Sequence, residues 1–446
     1  MKTLLALKSI AEKIPYSIGR LASYVPFSLR LGREYVKFVR LANYYQNASP
    51  EERLEYTLLC LNDIVKFAQN NVPFYQKLYG KAPIKIKALK DFEELPIITK
   101  KQVREYSKEA TGAMLVNTGG TSGEPLSIYI DEKAWAREWA HMHFIWGLRG
   151  YNPTDLMVTM LGEDLGGKLY RYNAVHNEIK INPYIYSRNS AGEICDLFKK
   201  FPIKYFHGYP SSIYNFFREL EVSLGDKEKR FISSKIYSLF FSSEYPLPYM
   251  VDYFRNIWNL NFISWYGHSE MCVLAYDKYN DLNYRPFATY GYAENNNGML
   301  CGTSFHNYSM PLIRYATGDL IKSTHNSSGM IEYFSIKEGR EGDFIEDKCG
   351  RRISLTALVF GRHHKIFNYA DYLQISQTNK GEVTFYVSFV GEQKMPVDEV
   401  YRYFDLNGLS LDSKFVRLKK PILTNAGKLK LRVAIDDIKN TGLHAQ

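Results

Sequence analysis

From about residue 112 onward, short β-rich runs alternate with stretches of helical periodicity. LSIYID (126–131), LMVTML (156–161), KYFHGY (204–209), KIYSLFFSS (235–243) and NFISWYG (261–267) read as strands. Between them, residues 133–149, 189–200, 211–224 and 248–259 read as helices. This alternation predicts an α/β domain with a mixed or parallel sheet. Upstream, residues 50–70 predict a helix with a marked start. Ser49 supplies a capping hydroxyl, Pro50 fits the first turn, and Glu51 and Glu52 sit at the positive helix end. Residues 1–45 predict one or two short basic helices broken at Pro15 and Pro26. Residues 285–340 predict a small β subdomain. The last hundred residues predict a second unit: a hairpin turning at Asn379-Lys380-Gly381, a short helix ending at Gly408, and a β pair around Gly427. A boundary near Arg340 divides the chain into a basic helical segment (1–45), a large domain (46–339) and a small C-terminal domain (340–446).

Composition adds little until charge is considered. The 446 residues are 45% hydrophobic and 23% charged, as in ordinary globular chains of two or three domains. The net charge of +10 is uneven: residues 1–40 hold eight basic side chains, from Lys2 to Arg40, against Glu12 and Glu34. A basic balance points to nucleic acid, a membrane surface or an anionic substrate. No RNP-like repeat, zinc-finger spacing or helix-turn-helix pattern accompanies it, so no nucleic acid is expected. The expectation for 1–40 is peripheral contact with an anionic membrane face or a partner. Cys60, Cys195, Cys272, Cys301 and Cys349 are scattered and odd in number, which suits a reducing, cytoplasmic setting. His141 and His143, and the adjacent His363 and His364, lack metal-ligand spacing and read as structural or surface residues. No apolar run reaches 18 residues, so no transmembrane helix is expected.

Candidate chemistry begins at NTGGTSGEPLSIYID (117–131). Gly119, Gly120 and Gly123 would let backbone N–H groups converge on an anion, and Thr118, Thr121 and Ser122 add hydroxyl donors. The lysine and spacing of a Walker loop are missing. Alone, the segment reads as an ordinary glycine-rich turn. Further along come YGHSE (266–270) directly after a strand, RYATGDL (314–320) with Asp319 expected in a turn beside Gly318, GREGD (339–343) and TNAGK (424–428).

In this order and with these gaps, the five segments resemble the adenylate-forming superfamily of acyl-CoA synthetases, peptide-synthetase adenylation domains and luciferases. NNVPFYQKLYG (70–80), ELPIITKKQVRE (94–105), GYPSSIYNF (208–216) and FSSEYPLP (241–248) resemble more specifically the phenylacetate–CoA ligase and CapK-like branch. The resemblance spans about residues 45–432. It implies a large α/β domain with a β subdomain, followed by a small mobile α+β domain. It implies ATP, Mg²⁺ and possible use of coenzyme A, with a carboxylic acid as substrate. The acceptor would be coenzyme A or an amine or hydroxyl on a sugar, in polysaccharide or secondary-metabolite biosynthesis. By the same resemblance, Thr118–Gly123 would wrap the β- and γ-phosphates. Ser243, Glu244, Tyr266 and Gly267 would serve the adenine pocket, and Ser269 the α-phosphate. Glu270 would hold Mg²⁺, Asp319 and Arg340 the ribose, and Lys428 would bridge carboxylate and α-phosphate during adenylation.

Two departures stand out. Leu126 replaces a lysine found in many superfamily members but missing from the phenylacetate-ligase branch, and Gly342 occupies the hinge position where many carry an acid or lysine. Glycine absorbs large φ/ψ changes, so a hinge role survives. An acyl pocket is expected among 135–150, 205–215 and 264–276, with Trp135, Trp139, His141, His207 and Trp265 in its lining. The rival readings are a basic nucleic-acid- or membrane-surface-binding protein and a nucleotide-binding scaffold that has lost its chemistry.

Overall fold

The computed structural model describes residues 14–117, 126–161, 163, 165–182, 188–246, 248–336, 344–360, 364–370, 372–388, 396–406, 408–418, 421–422, 431–434 and 438. The helices are α1 (Tyr16–Gly19), α2 (Phe27–Asn47), α3 (Pro50–Asn71), α4 (Pro73–Tyr79), α5 (Leu89–Glu93), α6 (Lys100–Ser107), α7 (Ala134–Gly147), α8 (Ala191–Lys200), α9 (Pro210–Ser223), α10 (Asp226–Lys235), α11 (Pro248–Asn256), α12 (Leu355–Phe360) and α13 (Val397–Val400). The start of α3 is as expected. The Ser49 hydroxyl accepts from the Glu52 N–H (3.1 Å) while the Glu52 carboxylate accepts from the Ser49 N–H (2.8 Å). Helix α2 is longer than expected. It runs through to Asn47 and bends at Gly32, whose φ of 71° only glycine adopts without cost.

A sheet of 12 strands organises the large part of the molecule. Its parallel half contains β5 (Glu178–Ile181), β3 (Leu156–Met160), β6 (Ile203–Gly208), β7 (Ser238–Phe241) and β8 (Phe262–Gly267), with β4 (Tyr170–Asn173) antiparallel at the edge. Helices α8–α11 are the crossovers that parallel strands require. They bury Leu197, Phe198, Phe216, Phe217 and Phe254 against Val158, Phe206, Leu239 and Phe241. At β8 the direction reverses. β9 (Leu274–Asp277), β10 (Tyr284–Pro286), β14 (Ile331–Ile336), β13 (Tyr315–His325), β12 (Met299–Ser304) and β11 (Gly291–Asn296) continue the sheet with antiparallel pairing. The strands of the β subdomain expected for 285–340 continue the central sheet. Helices α3–α6 cover this half, burying Leu61, Tyr75, Phe92 and Val103 with Ile313, Tyr315 and Phe334. A short pair, β1 (Met114–Asn117) and β2 (Ser127–Ile130), flanks residues 118–125.

Residues from 344 onward build their own core. Ile345, Leu358, Leu373, Phe385 and Leu431 belong to a cluster that contains no residue before 345. The expected hairpin is present as β17 (Tyr372–Asn379) and β18 (Glu382–Ser388), with Gly381 at φ 78°. The shorter β15 (Phe344–Glu346) and β16 (Arg352–Ser354) form a second hairpin. The tail departs from expectation. β19 (Asp412–Arg417) pairs parallel with β18, and Arg432 bridges Ile375 of β17, so both sides of the tail join the hairpin. Among the described residues, no helix is long and apolar enough to cross a membrane.

Candidate functional site

The carboxyl ends of β6, β7 and β8 lie side by side: Phe241 pairs with Gly208 on one flank and Ser264 on the other. Ligands of open α/β sheets bind beyond such ends. The strand ends approach closely there; a Cβ on Gly208 would meet the Met160 carbonyl oxygen at 2.5 Å. Just past β7, Ser243 takes φ 65°, a left-handed conformation that is uncommon for serine, and its side chain is exposed. Glu244 follows, half-buried. Behind them His207 Nε2 lies 3.2 Å from Ser242 Oγ. Burial pushes the His207 imidazole down to about 4, so it is neutral at pH 7.

Beyond β8 the chain turns through His268, Ser269 and Glu270, closed by the Met271 N–H donating to the His268 carbonyl (3.0 Å). Glu270 contacts both β13 and its own turn. Its Oε1 accepts from the Tyr315 phenol (3.2 Å), and its Oε2 lies 3.3 Å from His268 Nδ1. That second contact is not aligned as a hydrogen bond, and neither His268 nitrogen has such a partner among the described residues; its attraction is electrostatic and needs a protonated ring. Burial alone would raise the Glu270 carboxyl. The His268 imidazole, the residue's own N–H and Lys100 outweigh it and hold the group below the usual carboxylate range.

Tyr266 and Asp319 meet across the antiparallel half. The Tyr266 phenol donates to Asp319 Oδ2 at 2.8 Å, and its ring is edge-on to Phe334 (5.4 Å) and His268 (5.8 Å). Burial, reinforced by Asp319, raises this phenol well above its ordinary value, so it stays a donor. Asp319 lies within β13 and not in a turn. Gly318 at φ 82° sits where the β12–β13 register slips, and the Asp319 N–H donates to Thr317 Oγ1 (3.2 Å).

The structure thus groups Tyr266, Gly267, Ser269, Glu270 and Asp319, with Ser243 and Glu244 one strand away. Thr118, Gly119, Gly120, Thr121, Ser122, Gly123, Arg340 and Lys428 lie outside the described residues. Of the expected acyl lining, His207 and Trp265 cluster with Trp146, with ring centres 5.4–6.2 Å apart. His141 does not join it. It is fully buried between the Arg137 carbonyl and the Thr289 hydroxyl, a core residue. Trp135 is 44% exposed, and Trp139 stacks on His176.

Three side chains of the site carry no assignment from the sequence. His268 and Tyr315 sit inside or beside the motifs that mark their neighbours. Glu138 has no sequence signal at all. It accepts from the Tyr290 phenol at 2.7 Å, and burial raises its carboxyl against the opposing effects of Tyr290 and His268. No group of three or more metal-ligating side chains exists among the described residues. A magnesium ion fits here only as it commonly binds nucleotides, through one carboxylate and phosphate oxygens, and the ionised Glu270 suits that role.

No family model and no curated protein matches the chain. Solved structures do. 2-Hydroxyisobutyryl-CoA ligase in complex with 2-HIB-AMP and CoA, in the thioesterification state, aligns with TM-score 0.51 and 18% identity over 88% of this chain and 92% of that one. The same ligase in its postadenylation state with R3-HIB-AMP aligns with TM-score 0.50 and 17% identity over 88% and 91%. At these identities the likeness is one of architecture, extending over nearly the full length of both chains: the protein has the fold of an acyl-CoA ligase whose structures hold an acyl-adenylate and CoA.

Proposed function

We propose that the protein is an AMP-forming ligase that activates a carboxylic acid as its acyl-adenylate and passes the acyl group to an acceptor. The observation that carries this reading is the hydrogen bond between Tyr266 and Asp319 beside Glu270, which joins the YGHSE and TGD segments at the carboxyl ends of the parallel strands. In the first step a substrate carboxylate oxygen attacks the α-phosphorus of ATP, and the bond to pyrophosphate breaks. In the second, the acceptor attacks the acyl carbon and AMP leaves. The acceptor is a thiol, as in coenzyme A, or an amine or hydroxyl such as those of sugars.

Within this reading Thr118–Gly123 hold the β- and γ-phosphates through backbone N–H and hydroxyl groups. Tyr266 and Gly267, with Ser243 and Glu244, flank the adenine. Asp319 accepts from the ribose hydroxyls, and Arg340 supports the same sugar. Ser269 contacts the α-phosphate. Mg²⁺ would be held by Glu270 and phosphate oxygens and would neutralise charge on the leaving pyrophosphate. Lys428 meets the charge that gathers on the α-phosphate. The reading divides the chain at Arg340, into a large domain of 46–339 and a small mobile domain of 340–446 that carries Lys428. The aromatic lining supports an aromatic or medium-chain acid, whose apolar body Trp146, His207 and Trp265 suit.

Pyrophosphate release across a panel of carboxylic acids, with ATP, Mg²⁺ and no acceptor, tests the reading. Release with at least one acid, matched by AMP after an acceptor is added, is the expected result. ATP binding without release from any acid would assign the chain to the inactive scaffolds, and no ATP binding would overturn the reading outright.

A further inference from the structure

Five large apolar side chains stand in water within residues 18–29: Ile18 (61% exposed), Leu21 (61%), Tyr24 (68%), Val25 (45%) and Leu29 (77%). Elsewhere such exposures are dispersed along the chain, which is normal for a folded surface. The segment that holds these five out is firmly seated. Tyr16 packs edge-on against Tyr172 (5.2 Å) and Phe201 (5.1 Å). A Cβ on Gly19 would meet the Tyr172 ring at 2.6 Å. Arg30 donates to the Val175 carbonyl (3.1 Å) and to that of Ala22, tying the start of α2 to the turn before it. The five side chains point outward from an anchored scaffold.

Next to them is a row of cations. Helix α2 turns its inner face to α7, where Phe38 and Ala42 are buried, Tyr35 contacts His143 (2.7 Å) and Glu34 pairs with Arg137 (3.1 Å). Its outer face carries Arg33, Lys37 and Arg40 at helical spacing. With Gly32, Val36 and Tyr44 they line an open cleft of about 620 Å³. The one acid of α2, Glu34, is committed to Arg137, and the three cations have no acidic partner among the described residues. The sequence before residue 14 adds Lys2, Lys8 and Lys13 against Glu12.

We propose that this face docks on an anionic bilayer, with Ile18, Leu21, Tyr24, Val25 and Leu29 entering the boundary between headgroups and acyl chains and Arg33, Lys37 and Arg40 binding lipid phosphates. Apolar side chains adjoining unpaired cations are what an interfacial element needs. The apolar cluster has no use on a nucleic-acid backbone. A two-fold contact with a second copy would set the basic rows against one another, since both copies present the same patch. The inference is independent of the adenylation reading.

Flotation of the full chain tests it, using vesicles of phosphatidylcholine alone or with about one quarter phosphatidylglycerol, at low and high salt. The chain is expected to float with the anionic vesicles only, and less at high salt. L21S/L29S and R33E/R40E are each expected to lower that partition by about tenfold or more, as loss of anchors near an anionic surface requires. Both pairs are exposed, so circular dichroism should be unchanged and the result interpretable. Equal flotation with neutral vesicles, or variants that bind as well as the parent, would overturn the proposal. So would sedimentation showing a lipid-independent dimer that L21S/L29S abolishes.

Discussion

The phenol of Tyr266 donates to the carboxylate of Asp319 at 2.8 Å, joining two strands whose residues lie 53 positions apart. One oxygen of Asp319 is thereby engaged, which leaves the other to accept from a ligand in the proposed function. Asp319→Asn is expected to raise the KM for ATP by about tenfold to a hundredfold, the equivalent of ~1.5–3 kcal/mol for hydrogen bonds to a charged acceptor. Tyr266→Phe removes only the orienting donor and is expected to cost about tenfold or less. Initial rates of pyrophosphate release at varied ATP check both. Equal KM values for all three proteins would remove Asp319 from the nucleotide site.

Glu270→Gln keeps an acceptor for the Tyr315 phenol at the same volume but removes the charge. It is expected to shift the Mg²⁺ requirement of turnover upward by at least about tenfold while leaving the unfolding midpoint nearly unchanged, because a carboxylate is the harder ligand. Magnesium titrations of rate, beside urea unfolding, check the split. A variant with unaltered magnesium dependence would remove Glu270 from the metal site.

Lys428→Ala is expected to lower adenylation by a few hundredfold, about 3–4 kcal/mol, with ATP affinity within several-fold, since the charge it would meet develops only in the transition state. Acyl transfer from supplied acyl-adenylate should survive. Lys430→Ala should be nearly silent. Half-reaction assays distinguish them, and the reverse pattern would shift the register of the tail.

Asp277 gives a stability test away from the Tyr266–Asp319 pair. It is fully buried in β9 and accepts N–H bonds from Asp281 (3.1 Å) and Leu282 (3.0 Å), yet burial pushes its carboxyl up to about 6. A folded value above the unfolded one means that the native state binds the proton more tightly. The resulting stability is fully present below the unfolded value of ~4 and is lost as pH rises through about 6. Within that window each step of one in pH is worth at most roughly 1.4 kcal/mol. Urea midpoints of the parent and Asp277→Asn between acid and neutral pH should therefore diverge there, with the parent falling relative to the variant. Parallel curves would show that the group titrates normally.

What the sequence disclosed follows from how far each signal reaches. The cap of α3 was readable because Ser49 and Glu52 are three residues apart and satisfy one another's backbone. The strands ending at Gly208, Phe241 and Gly267 were readable because each is a compact β-rich run. Strands β4 and β5 escaped notice because YRYN and EIKI are short and mix charge with apolar residues. The union of the parallel and antiparallel halves was hidden, since strand pairing is not written locally. Glu138 was hidden for the same reason: its partner Tyr290 is 152 positions away. Tyr266, Glu270 and Asp319 are singled out by motif order alone, and that order is silent on the His268 and Tyr315 side chains that contact Glu270.

The reversal of strand direction between β8 and β9 divides the sheet into two halves. The parallel strands are joined by helical crossovers, whereas most antiparallel neighbours follow one another through short connections, and β10 and β14 pair across residues 287–330. Tyr266 and Asp319 stand on opposite sides of that seam, so neither half of the sheet alone holds the pair. Under the proposed function, ATP binding therefore requires the two halves to be joined.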